Sequence, residues 1–75
     1  MEMNINEKTF NRLLERKAKK NNISLRDVKG DLCRRLDVSR QAIHLWCNGE
    51  SKPNTEKLIF LRDYFGLNKV EDLLK

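Results

Sequence analysis

Wound as a helix at about 100° per residue, the stretch from Ser39 to Asn48 sets Arg40, Gln41, His44, Leu45 and Asn48 on one side. Ser39, Ala42, Ile43 and Trp46 fall on the other. The first group suits the edges of bases in a DNA groove. An arginine guanidinium pairs bidentately with guanine, a glutamine amide pairs with adenine, and an apolar side chain such as Leu45 meets the methyl of thymine. A plain solvated face has no use for Leu45, although single surface leucines are common, so the reading rests on the group and not on any one member. Ser39 and His44 stand where they reach bases or phosphates. Ile43 and Trp46 belong to the opposite, core-forming side, which makes Trp46 a packing residue and not a stacking platform. His44 and Cys47 lie three positions apart with no third group to orient them, so no nucleophile and base are assembled and no catalytic residue is assigned.

A helix that reads a groove has to be held by others. Ser39 is a good N-cap for it, and Asn48-Gly49 ends it before Glu50-Ser51-Lys52-Pro53, where proline forbids continuation. Upstream, Ser24-Leu25-Arg26-Asp27 resembles a capping box with Asp in place of Glu, and Leu25, Val28, Leu32 and Leu36 continue at helical spacing up to a break at Asp37-Val38. Gly30 inside that helix costs about 1 kcal/mol relative to alanine. The first helix is read from Phe10, Leu13, Leu14 and Ala18, with Asn6 as cap and a stop at Asn21-Asn22. A fourth is capped by Asn54, carries Leu58, Leu61 and Phe65 widened by Ile59 and Phe60, and ends at Gly66. A fifth short helix starts at Asn68, closed by a reciprocal cap from Glu71, and bears Val70, Leu73 and Leu74. With no period-two segment long enough for a strand, the expected class is all-α, five short helices.

The size fits this. The 75 residues allow one domain over 1–75, with 1–4 expected to be flexible, because so short a chain buries only about 60% of its unfolded surface. The 16 basic and 11 acidic side chains leave a net charge of +5, which favours phosphate backbones or anionic surfaces. Residues 1–38 hold an excess of +4, residues 39–52 of +1 and residues 53–75 none, and the basic residues are interspersed as on a folded face, unlike a polycationic tail. Cys33 and Cys47, even with His44, match no zinc spacing and read as free thiols, Cys33 as a small buried filler. No metal, cofactor or small-molecule ligand is expected. The absence of a secretory signal or of an apolar run near the roughly 20 residues of a membrane span points to a cytoplasmic protein.

Two short helices joined by a turn of about three residues, the first bracing the second, are the physical recipe for a helix-turn-helix. The run Leu36-Asp37-Val38-Ser39-Arg40-Gln41-Ala42-Ile43-His44-Leu45-Trp46, followed by Asn48-Gly49 and Lys52-Pro53, resembles the Cro and phage-repressor (XRE) helix-turn-helix family. The later Leu58 to Leu61, Tyr64-Phe65-Gly66-Leu67 and Val70 to Leu74 resemble its fourth and fifth helices. The resemblance implies a lambda-repressor-like DNA-binding domain. It implies base contacts from Arg40, Gln41 and Leu45, joined by Ser39 and His44, and phosphate contacts from Asn48, Gly49, Ser51 and Lys52 on the following loop. It also implies a phosphate role for Lys29 at the start of the second helix, where the dipole favours anions.

The sequence departs from the family pattern in three places. Lys29-Gly30-Asp31-Leu32 is an insertion of four residues, about one turn, which lengthens the second helix at its N-terminus and draws Lys29 inside it. Asp37 occupies the turn position where glycine is expected and is strained by about 1 kcal/mol if its φ is positive. Cys47 stands where the family often has Glu, and Glu50 adds a negative charge beside the expected phosphate path.

A single helix-turn-helix reads half a site, and non-specific affinities of roughly 10⁻⁴ to 10⁻⁶ M do not locate an operator. A homodimer on a palindrome is therefore expected, with Leu67, Val70, Leu73 and Leu74 as its interface. The expected partner is double-stranded DNA and the expected outcome transcriptional regulation or repression. The rival is a protein-interaction module, an antitoxin or adaptor using the same fold.

Overall fold

The computed structural model describes residues 4–75; most of the segment expected to be flexible, residues 1–3, lies outside them. Asn4 is hydrogen-bonded to two distant parts of the chain, its side chain to the Gly49 carbonyl and its own carbonyl to the Lys75 N–H, both at 2.9 Å. Four α-helices follow one another, α1 (Glu7–Asn21), α2 (Leu25–Leu36), α3 (Arg40–Cys47) and α4 (Thr55–Phe65), and the chain then makes a 3-10 turn over Val70–Leu73. All four α-helices open by one device. Asn6, Ser24, Ser39 and Asn54 have extended backbones, and each side-chain oxygen accepts the N–H three residues on, from Thr9, Asp27, Ala42 and Lys57 at 3.2, 3.1, 3.1 and 2.9 Å. Each such cap is worth about 1 kcal/mol against alanine.

The inserted turn is present as helix. α2 runs 12 residues from its Ser24 cap, with Lys29 in its interior. It ends at Asp37 in the left-handed region (φ 54°, ψ 51°), which lets the Asp37 and Val38 N–H groups turn back to the Cys33 carbonyl. Asp37 thus bears the cost that glycine avoids, about 1 to 2 kcal/mol, and sets a carboxylate beside the negative end of the α2 dipole. Asp37→Gly is expected to raise stability by about 1 kcal/mol, a gain of roughly 4–8 °C in Tm for a domain of this size, measured by thermal unfolding at low ionic strength.

The expected fifth helix is not an α-helix, and its reciprocal cap is not made. Lys69, extended at φ −135°, precedes the 3-10 turn without a side-chain cap bond. The reason is non-local pairing. Leu74 forms an antiparallel bridge with Ile5, and the strand-like bonds Asn6 N–H to Leu73 O (2.8 Å) and Lys75 N–H to Asn4 O (2.9 Å) hold this end extended, where α-helix bonds would have coiled it.

The core gathers one face of every element: Ile5, Phe10, Leu13, Leu14, Ala18, Val28, Leu32, Ile43, Trp46, Leu58, Leu61, Phe65 and Leu73. Phe10 is its centre, edge-on to Trp46 at 6.3 Å and to Phe65 at 6.0 Å, an arrangement favoured by the ring quadrupoles. Cys33 is only half-buried and packs on the rim of the core, where a wholly buried filler was expected. A polar junction ties the lengthened α2 to α4. The Tyr64 hydroxyl donates to Asp31 at 3.1 Å, Arg35 Nε donates to the same oxygen at 2.9 Å, and Lys17 from α1 lies over the Tyr64 ring at 4.4 Å. Partial burial by itself raises the Asp31 pKa, but the bonds from Arg35 and Tyr64 outweigh it and hold the carboxyl below its ordinary range.

Candidate nucleic-acid interface

Ser39 starts α3, and the packing of Ile43 and Trp46, both nearly fully buried, fixes its rotation. Position follows from that rotation. Arg40, Gln41, His44 and Asn48 are exposed, and Leu45 is half-buried at the margin of the same side. Ser39 is also exposed, and one lone pair of its hydroxyl is taken by the Ala42 N–H at 3.1 Å, which leaves the hydroxyl hydrogen and a second lone pair free. Arg40, Gln41, His44 and Leu45 thus share one side of a single short helix, with Leu45 the least accessible and Ser39 exposed at its N-terminal end.

Two of the exposed group hold each other. Asn48 Nδ2 lies 3.1 Å from His44 Nε2; with the amide as donor, the ring nitrogen accepts and the imidazole carries its hydrogen on Nδ1. The pair then has left one Nδ1–H donor on the ring, and one N–H donor and one carbonyl acceptor on the amide. Arg40 lies back across the inserted turn, its Nη2 3.4 Å from where a Cβ would sit on Gly30. The glycine that weakens α2 therefore leaves the bed on which this guanidinium rests, lined also by Asp27 and Asp31.

The turn after α3 is locked more firmly than its composition suggests. Gly49 has φ +73°, a backbone conformation that favours glycine, and a Cβ there would stand 2.8 Å from the Glu7 carboxylate, which would have to swing aside. Lys75 closes an ion pair with that carboxylate at 2.9 Å, and this hydrogen-bonded ammonium holds the Glu7 pKa below its ordinary value. The Gly49 N–H is spent on the Trp46 carbonyl at 3.2 Å and the Glu50 N–H on Leu45 O at 2.9 Å. Gly49, expected on the phosphate path, thus has its amide engaged within the chain. Among the described residues the Ser51 and Lys52 N–H groups face no acceptor, and the Lys52 side chain is exposed.

Lys29 is not at a helix start. It lies half-buried within α2 and faces the end of α3, where its charge partly offsets the burial that pushes the Cys47 thiol up. The open N-terminus of α2 is at Ser24 to Asp27, one turn earlier, so the dipole argument does not apply to Lys29. The expected interface residues also separate: Leu73 is wholly inside the protomer's own core and presents nothing outward, whereas Leu67, Val70 and Leu74 are half-buried against that core. Among the described residues the exposed large apolar side chains are Ile23 and Ile59.

Sequence reasoning missed Asn4, Glu7 and Asn11, which fasten the turn. Asn11 Nδ2 donates to the Cys47 carbonyl at 2.9 Å and to Glu7 O at 2.8 Å, while Asn4 Nδ2 reaches Gly49 O. No local signal marks them, since their partners lie 36 and 45 positions away.

No helix among the described residues is long and apolar enough to cross a membrane. Comparison with curated proteins and with solved structures gave no match. A family model described as Helix-turn-helix matches residues 14–71, from the middle of α1 into the start of the 3-10 turn. With a buried-side and exposed-side division of α3, a bracing α2 and a match across most of its length, the chain belongs to the XRE and Cro type of DNA-binding helix-turn-helix proteins.

Proposed function

We propose that the chain is a transcriptional regulator, most simply a repressor, that binds double-stranded DNA sequence-specifically as a homodimer on a palindrome with half-sites about one helical turn apart. The observation that carries this is the exposed row Arg40, Gln41, His44 and Asn48 on a short helix whose other side is anchored by Ile43 and Trp46. In this reading Arg40 and Gln41 are the principal base readers, and Leu45 offers an apolar edge to a thymine methyl. His44 and Asn48 act as one donor and acceptor unit, with Ser39 beside them. Ser51 and Lys52 contact phosphate, through backbone N–H groups and the Lys52 ammonium, and set the register. Operator binding places the protein in the cytoplasm, on the nucleoid.

Dimerisation supplies the second half-site that one short helix lacks. With Leu73 committed to the core, the half-buried edges of Leu67, Val70 and Leu74 remain to form the two-fold interface. Selection of bound sequences from a random double-stranded pool tests both parts of the reading: a recovered palindrome supports it, and an unselected pool overturns it. A light-scattering mass that stays monomeric with and without the selected DNA would remove the dimer.

A further inference from the structure

The peptide units that join α3 to the following loop are gripped at both ends. In the unit between Cys47 and Asn48, the carbonyl accepts from Asn11 at 2.9 Å and the N–H donates to His44 O at 3.1 Å. In the unit between Gly49 and Glu50, the carbonyl accepts from Asn4 at 2.9 Å and the N–H donates to Leu45 O at 2.9 Å. The N–H bonds come from α3 itself and are what any helix end can supply. Both carbonyl bonds come from outside, from α1 and the segment before it, with Glu7 pressed against Gly49 between them.

We propose that Asn11 and Asn4 are positioning residues for DNA contact, holding the turn Cys47–Glu50 so that Ser51 and Lys52 meet phosphate in register with α3. The inference rests on the DNA-binding reading above and adds to it the parts of the chain that set the geometry of the phosphate loop. Asn11 is suited to this because its one amide nitrogen has two hydrogens, and both are used: one on its own helix, at Glu7 O, and one on the end of α3. It therefore fixes the α3 end relative to α1 without needing a charge. Asn4 does the same two peptide units later, and its own carbonyl is tied to Lys75, which also neutralises Glu7 beside the turn. A free Glu7 carboxylate there would oppose a phosphate; the paired one does not.

The test is the salt dependence of binding to a mixed-sequence double-stranded oligonucleotide and to the selected operator, for wild type, Asn11→Ala, Asn4→Ala and Tyr64→Phe, each well below its own Tm. Asn4→Ala loses the exposed bond to Gly49 O and the one that Asn4 Oδ1 accepts from the Ile5 N–H, and keeps α1 whole, so it serves if Asn11→Ala folds poorly. Tyr64→Phe loses a hydrogen bond of similar kind far from the turn. Asn11→Ala and Asn4→Ala are expected to lower the slope of log affinity against log salt by about 1 for each phosphate that the displaced loop no longer neutralises. Affinity should fall severalfold on both DNAs, with the ranking of bases kept, and Tyr64→Phe should match wild type. Unchanged slopes in both asparagine variants, or an equal loss in Tyr64→Phe, would overturn the positioning role while leaving DNA binding in place. A wild type with no salt-dependent binding would instead overturn the DNA-binding reading, and this inference with it.

Discussion

Phe10→Ala is expected to lower the stability of the fold by about 3–5 kcal/mol. Phe10 is fully buried and touches, through its two edge-on ring contacts, both the helix that carries the reading face and the helix that closes the core behind it. Truncating a buried phenylalanine costs about 3–5 kcal/mol, the transfer of the ring plus the cavity it leaves. A chain of 75 residues has about 4–11 kcal/mol in total. One substitution thus removes about a quarter of the margin at best and all of it at worst. Trp46 reports the outcome, because its fluorescence changes when the ring it packs against is removed, and urea unfolding by circular dichroism gives the energy. Ile59→Ala is the control: Ile59 is 41% exposed, and substitutions of that kind stay within about 0.5 kcal/mol. A Phe10→Ala protein that lost less than about 1 kcal/mol would mean that the core closes over the hole, and the central place given to Phe10 would be wrong.

What could be read from the sequence, and what could not, divides by distance along the chain. The helix starts were legible because a cap is a local matter: Ser39 and the Ala42 N–H are three residues apart, and the side chain that accepts the bond is visible in the sequence. The burial of Ile43 and Trp46 was legible from period alone, whereas the extra turn of α2 was legible only as a departure from the family pattern that the sequence resembles, its four residues preserving helical phase. Asp37 could be flagged because a turn position has its own conformational demand, and its φ of 54° meets it. The 3-10 turn was not legible. Asn68 and Glu71 carry a helix-start pattern, and only the pairing of Leu74 with Ile5, at the other end of the chain, diverts it. Leu73 was misjudged for the same reason, as its burial is supplied by elements that a local reading of the last residues does not include. Asn4 and Asn11 left no trace, because a single polar residue aimed at a distant carbonyl has neither periodicity nor composition to mark it.

The largest effect on recognition is expected from Arg40→Ala combined with Gln41→Ala. Each bidentate contact to a base is worth about 1–3 kcal/mol of discrimination, so losing two lowers the preference for the selected operator over mixed sequence by about 30-fold to 10⁴-fold. The fold should not notice, because both residues are exposed in the first turn of α3 and alanine is the best helix former. Lys52→Ala is the complementary change: it should weaken binding to all sequences alike and lower the salt slope by about 1. The contrast matters because Arg40 has a second role open to it. Its guanidinium rests over Gly30, in the one stretch of α2 that the extra turn adds, and to reach a base it must leave that bed. If Arg40 serves only to cover α2, Arg40→Ala alone changes stability and not base preference, and Gln41→Ala carries what selectivity is lost. If Arg40 reads guanine, the single variant relaxes preference at one position of each half-site, and Gly30→Ala, which still leaves ordinary contact at 3.4 Å, stiffens α2 without disturbing recognition. Selectivity that survives in the double variant would place the reading face elsewhere on the molecule.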